Sequence, residues 1–374
     1  MPVVLGIESS CDETAVAMVG TDRRIIAQRI ASQDEAHRPY GGVVPEIAAR
    51  AHAERIAPMI AEVMEEAEME LADLSAIAAT AGPGLIGGVM VGLVSAKALA
   101  MASDVPLIAV NHLEGHALSP RLVDEALEFP YLLLLVSGGH CQILRCEDVG
   151  QYRRLATTID DAVGEAFYKT AKILGLGFPG GPAVEKLARE GDPKAVPLPR
   201  PLVGGKEPHF SFAGLKSAVL RAKEAQEKSV RGEPVEPRTQ RDARPSTSSG
   251  RTDREGSRAY SDADIAASFQ QAAVDCLVDR LERAIDSGGH APALVVAGGV
   301  AANASVRAAL EALAEQHDMR FVAPPPGLCT DNAAMIAWAG CERLGQNDPL
   351  DFKARPRWPL DPDAEPARGA GVKA

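Results

Sequence analysis

The sequence predicts a two-lobed α/β protein in which a βββαβα unit occurs twice. Short apolar runs alternate with segments of helical period, and the order of elements after Pro130 repeats the order before it. Glycine-rich turns follow strands throughout. Residues 2 to 32 read as three short strands, VVLGIES, TAVAMVG and IIAQRIA, with the polar cluster Ser9, Ser10, Cys11, Asp12 and Glu13 at the first turn. That is a β-meander with an acidic tip. A long amphipathic helix is predicted from Pro45 to Met69, then a strand (AIAATAG), a glycine-rich helix from Gly84 to Met101, a strand (PLIAVN) and a helix carrying His112-Leu-Glu-Gly-His116.

The second half opens on YLLLLVSGG, apolar enough for a buried strand, and turns at Ser137-Gly138-Gly139-His140 into CQILRCE and a third strand near Tyr152. Helices dominate until the strand ALVVAGG, a helix from Val300, the strand RFVA and a final helix from Asp331. Without its helical insertion this half is βββαβα again. Such a duplication predicts the actin-like ATPase architecture, two lobes holding a nucleotide between paired phosphate hairpins. The expected lobes are 1–128 and 129–346, with a tail at 347–374. Residues 229–258 hold seven Arg, five acids and three Pro but no Leu, Ile, Met or aromatic residue, so they cannot bury a core and are expected to form a disordered insertion.

A chain of 374 residues, 46% hydrophobic, has ample material for a core. No run is expected to reach the length of a membrane span and the start lacks signal-peptide features, which predicts a cytoplasmic protein without membrane contact. Six scattered cysteines without a CxxC pair argue against a disulfide framework and against a cysteine-based zinc site. The net charge of -12 disfavours non-specific adhesion to nucleic acid, so an RNA partner needs a local basic patch or a helper subunit.

His112 and His116 stand four apart on a predicted helix, a spacing that stacks two imidazoles on one face, ready to grip a metal ion. A third ligand is available in Cys329-Thr-Asp331-Asn, where an acid opens a helix after the loop Pro324 to Pro326. Zinc proteases need Glu beside the first His or the reversed HxxEH order, and HLEGH has neither. A packing or surface role for the pair stays open at this point. Three turns, Ser137-Gly-Gly139, Gly180-Gly181-Pro182 and Gly298-Gly299 leading to Asn303, can present backbone amides to phosphate. No Walker loop or GxGxxG fingerprint occurs. The cluster Gly82 to Gly88 is read as a close-packing device.

GIESSCDETAVA, the run His37 to His52, NHLEGH, LVSGGH, GEAFYKTAK, FPGGP, FSFAGLK, VAGGVAAN and CTDNAAM resemble, in order, the TsaD family. These are the bacterial tRNA adenosine threonylcarbamoyltransferases, once described as O-sialoglycoprotein endopeptidases. The resemblance covers nearly the whole chain outside residues 229–258. It implies transfer of a threonylcarbamoyl group from threonylcarbamoyl-AMP to the exocyclic amine of adenosine 37 in tRNAs reading ANN codons, with AMP as leaving group. It further implies that His112, His116 and Asp331 hold Fe2+ or Zn2+, and that Leu135, Val136, Ser137, Gly138, Gly139, Gly181 and Asn303 bind the adenylate. Asp12 and Glu13 become candidates for taking the amine proton or orienting the donor, against the plainer role of capping a turn.

Arg50, His52, Arg55 and Lys169 become candidate phosphate contacts for the tRNA anticodon arm. Implied helpers are a TsaB-like paralogous subunit and a TsaE-like ATPase. In one place the chain departs from the family: where the pattern carries Asp before Lys, expected on the ribose, this chain carries Tyr168, which is neutral and bulkier. That departure keeps a non-catalytic scaffold of the same family as the main alternative, against which the intact metal ligands argue. An actin-like kinase would not need a His-His-Asp group, since Mg2+ prefers oxygen ligands.

Overall fold

The computed structural model describes residues 1–40, 42–177, 179–230 and 260–365. Strands β1 (Val3–Glu8), β2 (Glu13–Gly20) and β3 (Ile25–Ser32) form the meander, followed by β4 (Ala76–Gly82) and β5 (Leu107–Asn111). Around them lie α1 (Asp34–His37), α2 (Pro45–Glu66), α3 (Ile86–Ser103) and α4 (His112–Val123). The second set comprises β6 (Tyr131–Val136), β7 (Cys141–Asp148), β8 (Gln151–Thr157), β9 (Ala293–Ala297) and β10 (Arg320–Val322). Its helices are α5 (Val163–Ile173), α6 (Gly180–Ala188), α7 (Ala213–Val230), α8 (Asp262–Ala284), α9 (Ala304–Gln316), α10 (Pro326–Cys329) and α11 (Ala333–Glu342).

The sheets run β3-β2-β1-β4-β5 and β8-β7-β6-β9-β10. In each, the first strand pairs antiparallel with the second and parallel with the fourth, and the fourth pairs parallel with the fifth. The duplicated actin-like ATPase architecture is therefore present. Central strands β1 and β6 are buried along their whole length, which is why they read as continuous apolar runs, whereas the edge strand β3 is largely half-buried or exposed. The predicted helix from Val300 begins later: Gly299–Ala302 is a 3-10 turn, and α9 starts after Asn303, whose side chain caps it.

The last helix of each half crosses to the other sheet. Leu113 and Ala117 of α4 join the core beneath β6 and β9, and α11 packs on β1, β2 and β4. The expected boundaries 1–128 and 129–346 thus divide the sequence but not the packing, because α11 buries its apolar surface against the first sheet. Small residues permit this. A Cβ on Gly6 would stand 2.4 Å from the Ala333 carbonyl oxygen, and one on Gly340 2.7 Å from the Ala78 Cβ. α4 and α11 also touch each other, with Gly115 clearing Ile336.

The tail from 347 is an irregular strap of turns and bends. Arg355 N–H donates to the Ala81 carbonyl at 2.7 Å, Asn111 Nδ2 to the Trp358 carbonyl at 2.9 Å, and Arg154 N–H to Asp361 Oδ2 at 2.8 Å. It ties the end of β4 and the start of α4 to β8. Gly82 faces it so closely that a Cβ there would overlap the Arg355 carbonyl. Of the expected insertion 229–258, everything beyond Val230 lies outside the described residues, as does 366–374.

One sequence expectation is corrected: α3, 18 residues with a mean hydropathy of 1.6, is long and apolar enough to cross a membrane by length and composition. Its glycines explain the composition. Gly84, Gly88 and Gly92 sit against Ser9 and Ser10, as the close-packing reading of Gly82 to Gly88 requires. Gly6→Ala should force α11 off β1 and lower unfolding stability by about 1–3 kcal/mol in urea denaturation. An unchanged midpoint would show that the contact gives way freely.

Candidate metal and nucleotide site

Asn111 ends β5 and caps α4, its Oδ1 accepting from Leu113 N–H at 2.9 Å. This fixes His112 in the first turn and His116 one turn later on the same face, ring centroids 4.8 Å apart. Pro120 cannot donate to the His116 carbonyl, which accepts instead from Ser119 Oγ at 3.1 Å. Asp331 arrives from the other end of the chain, just before Asn332. The Asn332 side chain caps α11 through Met335 N–H at 2.9 Å and donates to the Thr330 carbonyl at 2.7 Å, pinning the backbone on both sides of Asp331.

The three side chains converge, with one ligand atom of each within 4.8 Å of the others. Asp331 Oδ1 is 3.0 Å from His116 Nε2 and 3.5 Å from His112 Nε2. His116 is fully buried while the Asp331 side chain is 23% exposed, so the group opens on the Asp331 side. Two imidazole nitrogens and a carboxylate oxygen with one open side suit a catalytic transition metal such as zinc or iron.

Behind His112 stands a residue that the sequence reading passed over, Glu8 at the end of β1. It is fully buried and accepts from His112 Nδ1 at 2.9 Å, Thr80 Oγ1 at 2.6 Å and Ser10 N–H at 2.5 Å. A carboxylate on Nδ1 turns Nε2 toward the metal position and raises its basicity. The signal was in the sequence: an acid closing an otherwise apolar buried strand must have partners.

The electrostatics follow from crowding buried charges. Burial alone would raise the Asp331 carboxyl, but His112 and His116 outweigh it and hold it below the ordinary range. Burial works against charge on His112, yet Asp331 and Glu8 prevail and lift it to about 9. Glu13 is pushed up to about 10, by burial first and then by the charges of Asp331 and Asp12. With no cation present Glu13 keeps its proton at neutral pH, and a bound cation favours its ionised form. Asp12 and Glu13 are thus within electrostatic reach of the ligand group, at the tip of the β1–β2 hairpin.

The matching hairpin of the second lobe lies within electrostatic reach, for His140 helps to stabilise the Asp331 charge. Leu135 and Val136 end β6 and are buried, while Ser137, Gly138 and Gly139 form the turn, with open space where Cβ atoms on Gly138 and Gly139 would stand. Gly164 and Gly298 fit tightly beneath it, each Cβ position being 2.4 Å from a carbonyl oxygen, of Ser137 and Val136 respectively. Gly181 lies at the start of α6, and Tyr168 on α5 packs along the neighbouring Gly180. The Tyr168 hydroxyl is 3.5 Å from where a Cβ on Gly42 would stand, so it reaches across to the first lobe.

Other candidates are placed differently from expectation. Asn303 is 7% exposed, its Oδ1 taking Val306 N–H at 3.0 Å and its Nδ2 giving to Gln270 at 2.9 Å, so its first duty is the cap of α9. His52 is wholly buried and cannot meet a surface phosphate. Lys169 pairs with Glu165 at 2.7 Å and Asp161 at 3.2 Å; Arg50 is exposed beside Glu46, and Arg55 donates to the Ser32 carbonyl. Glu114, between the two histidines, accepts from Tyr152 Oη at 3.0 Å and faces Arg343 at 3.6 Å. Its carboxylate is thus engaged away from the ligand group, which removes the base that a zinc protease would need.

Binding a cation at His112 Nε2 displaces the proton that holds this ring charged below about 9. Apparent zinc affinity should therefore rise with pH toward about 9, by about tenfold per unit for one proton released. His116→Ala should weaken it by at least ~10-fold. Isothermal titration between pH 6 and 8 checks both, and a flat profile would mean that His112 does not ligate.

The family model described as TsaD, tRNA N6-adenosine threonylcarbamoyltransferase, matches residues 24–338. A protein of that name from Erythrobacter litoralis is 71% identical over all of both chains, and one from Rhodospirillum rubrum is 55% identical over 99% of this chain and 98% of its own. Among solved structures, HypF of T. kodakarensis superposes with a TM-score of 0.55 at 15% identity, over 92% of this chain and 48% of that one, a likeness of fold alone. The order of motifs, the His-His-Asp group and these full-length relatives agree, and the chain belongs to the TsaD family of tRNA N6-adenosine threonylcarbamoyltransferases.

Proposed function

We propose that this chain transfers the threonylcarbamoyl group of threonylcarbamoyl-AMP to N6 of adenosine 37 in tRNAs reading ANN codons, in the cytoplasm, releasing AMP. The observation that carries the reading is the convergence of His112, His116 and Asp331, with the acidic tip of the first hairpin and His140 of the second within electrostatic reach. The amine nitrogen forms a bond to the carbamoyl carbon, the bond from that carbon to the phosphate oxygen breaks, and the electron pair leaves with AMP. The amine proton goes to an acid of the hairpin tip. Asp12 and Glu13 are the candidates for that role or for orienting the donor.

His112, His116 and Asp331 would hold Fe2+ or Zn2+, which when bound supplies Lewis-acid stabilisation of negative charge on the donor. Backbone amides from Leu135 to Gly139 and at Gly181 cradle the adenylate, with Asn303 behind them and Tyr168 in the place of the family carboxylate. The opposed lobes limit water, which would otherwise hydrolyse the mixed anhydride. A net charge of -12 supports a shared RNA grip, with a TsaB-like subunit and a TsaE-like ATPase as helpers. Ile86, Met90, Val94 and Met101, all exposed on α3, form an apolar stripe suited to a protein partner.

Purified protein, the helper subunits, threonylcarbamoyl-AMP and unmodified tRNA should yield threonylcarbamoyladenosine by mass spectrometry, and His112→Ala should abolish it. Absence of product with the unaltered chain, restored by Tyr168→Asp, would mean that the adenylate pocket is impaired. Glu13→Gln should slow transfer about 100-fold or more; an intact rate would remove Glu13 from the chemistry.

A further inference from the structure

Four polar side chains with no part in the chemistry above are buried behind the acidic tip. Thr14, Gln33, His37 and His52 are between 0% and 2% exposed, a burial tolerated only when hydrogen bonds are kept. They form one chain. His52 on α2 sets Nε2 3.1 Å from the Cys11 carbonyl, an oxygen that only accepts, so Nε2 carries the proton. Nδ1 is then an acceptor, reached by the Thr14 hydroxyl at 2.8 Å and the Gln33 amide nitrogen at 3.3 Å. The Gln33 amide oxygen accepts from His37 Nε2 at 3.1 Å, and His37 Nδ1 accepts Val44 N–H at 3.3 Å. The carbonyl at one end and the amide N–H at the other assign both tautomers.

Gln33 holds the tip a second time, its own N–H donating to the Asp12 carbonyl at 3.1 Å. Both carbonyls preceding Glu13 are therefore fixed by this group. Its far end is the segment from Gln33 to Val44, which passes beside Tyr168 of the second lobe at Gly42.

We infer that Thr14, Gln33, His37 and His52 are positioning residues, a buried relay through which residues 33–40 and 42–44 set the geometry of the Asp12–Glu13 tip. The inference rests on the reading of that tip as the element that handles the amine proton. Mere core filling would affect stability without a selective effect on the tip, whereas a relay links the segment to both tip mobility and turnover. A displacement of about 1 Å at reacting groups can cost about 100-fold in rate.

The test compares Gln33→Leu and Thr14→Val, both close in shape to the originals, with His52→Leu, the conservative His52→Gln and the double variant Gln33→Leu with His52→Leu. Hydrogen exchange at the amides of residues 11–13 reads the tip, and single-turnover transfer with excess adenylate reads the chemistry. The relay requires faster exchange at the tip in Gln33→Leu and His52→Leu, unchanged AMP and zinc affinity, and partial recovery in His52→Gln; with the catalytic reading of the tip, a 10- to 100-fold slower turnover accompanies it. The double variant should be no slower than its slower parent, because members of one chain are not additive. Unchanged exchange at the tip overturns the relay whatever the turnover does. Faster exchange with normal turnover upholds the relay and overturns the catalytic reading of the tip.

Discussion

The crossing of α4 and α11 is the contact on which the site depends. α11 buries its apolar surface against the first sheet, α4 packs between the sheets with Leu113 and Ala117 toward β6 and β9 and Leu118 and Leu122 toward the first sheet, and the two helices meet at Gly115 and Ile336. Because His112 and His116 start one helix and Asp331 precedes the other, the packing that joins the lobes is also the packing that assembles the ligands. A methyl group at Gly6, Gly115 or Gly340 would be felt at the metal position through rigid helix displacement, since cores of this density yield little. The strap from 347 reinforces the arrangement by holding Asn111, the cap from which α4 begins.

Around that crossing the chain gathers Glu8, Glu13, Asp331 and two histidines in a small buried volume. Such a cluster is expensive without a counter-ion, and its consequences are visible in the proton held by His112 and the raised carboxyl of Glu13. A divalent cation relieves both. The His112, His116 and Asp331 group could hold such a cation, and the turn of the second lobe leaves open space at Gly138 and Gly139.

Much of the fold was legible because it follows local rules. Strand runs, the helix spacing of His112 and His116 and the glycine turns all appear where periodicity placed them. One reading went astray for an identifiable reason. His52 looked like a surface basic residue in a polar run, yet Ala48, His52, Ile56, Ile60 and Val63 keep a helical period and share the buried face of α2. At Asn303 the structure adds a duty that the glycine turn did not announce, since its side chain also caps α9.

The sequence by itself determined the duplicated unit, the family and the identities of the metal-ligand candidates, since these rest on residue type, order and spacing. Only the tertiary structure decided which lobe each closing helix serves, that Glu8 stands behind His112, and that Glu114 faces Tyr152 and Arg343. Those are contacts between residues tens to hundreds of positions apart, selected by how two apolar helix faces pack together, and local periodicity carries no record of that choice.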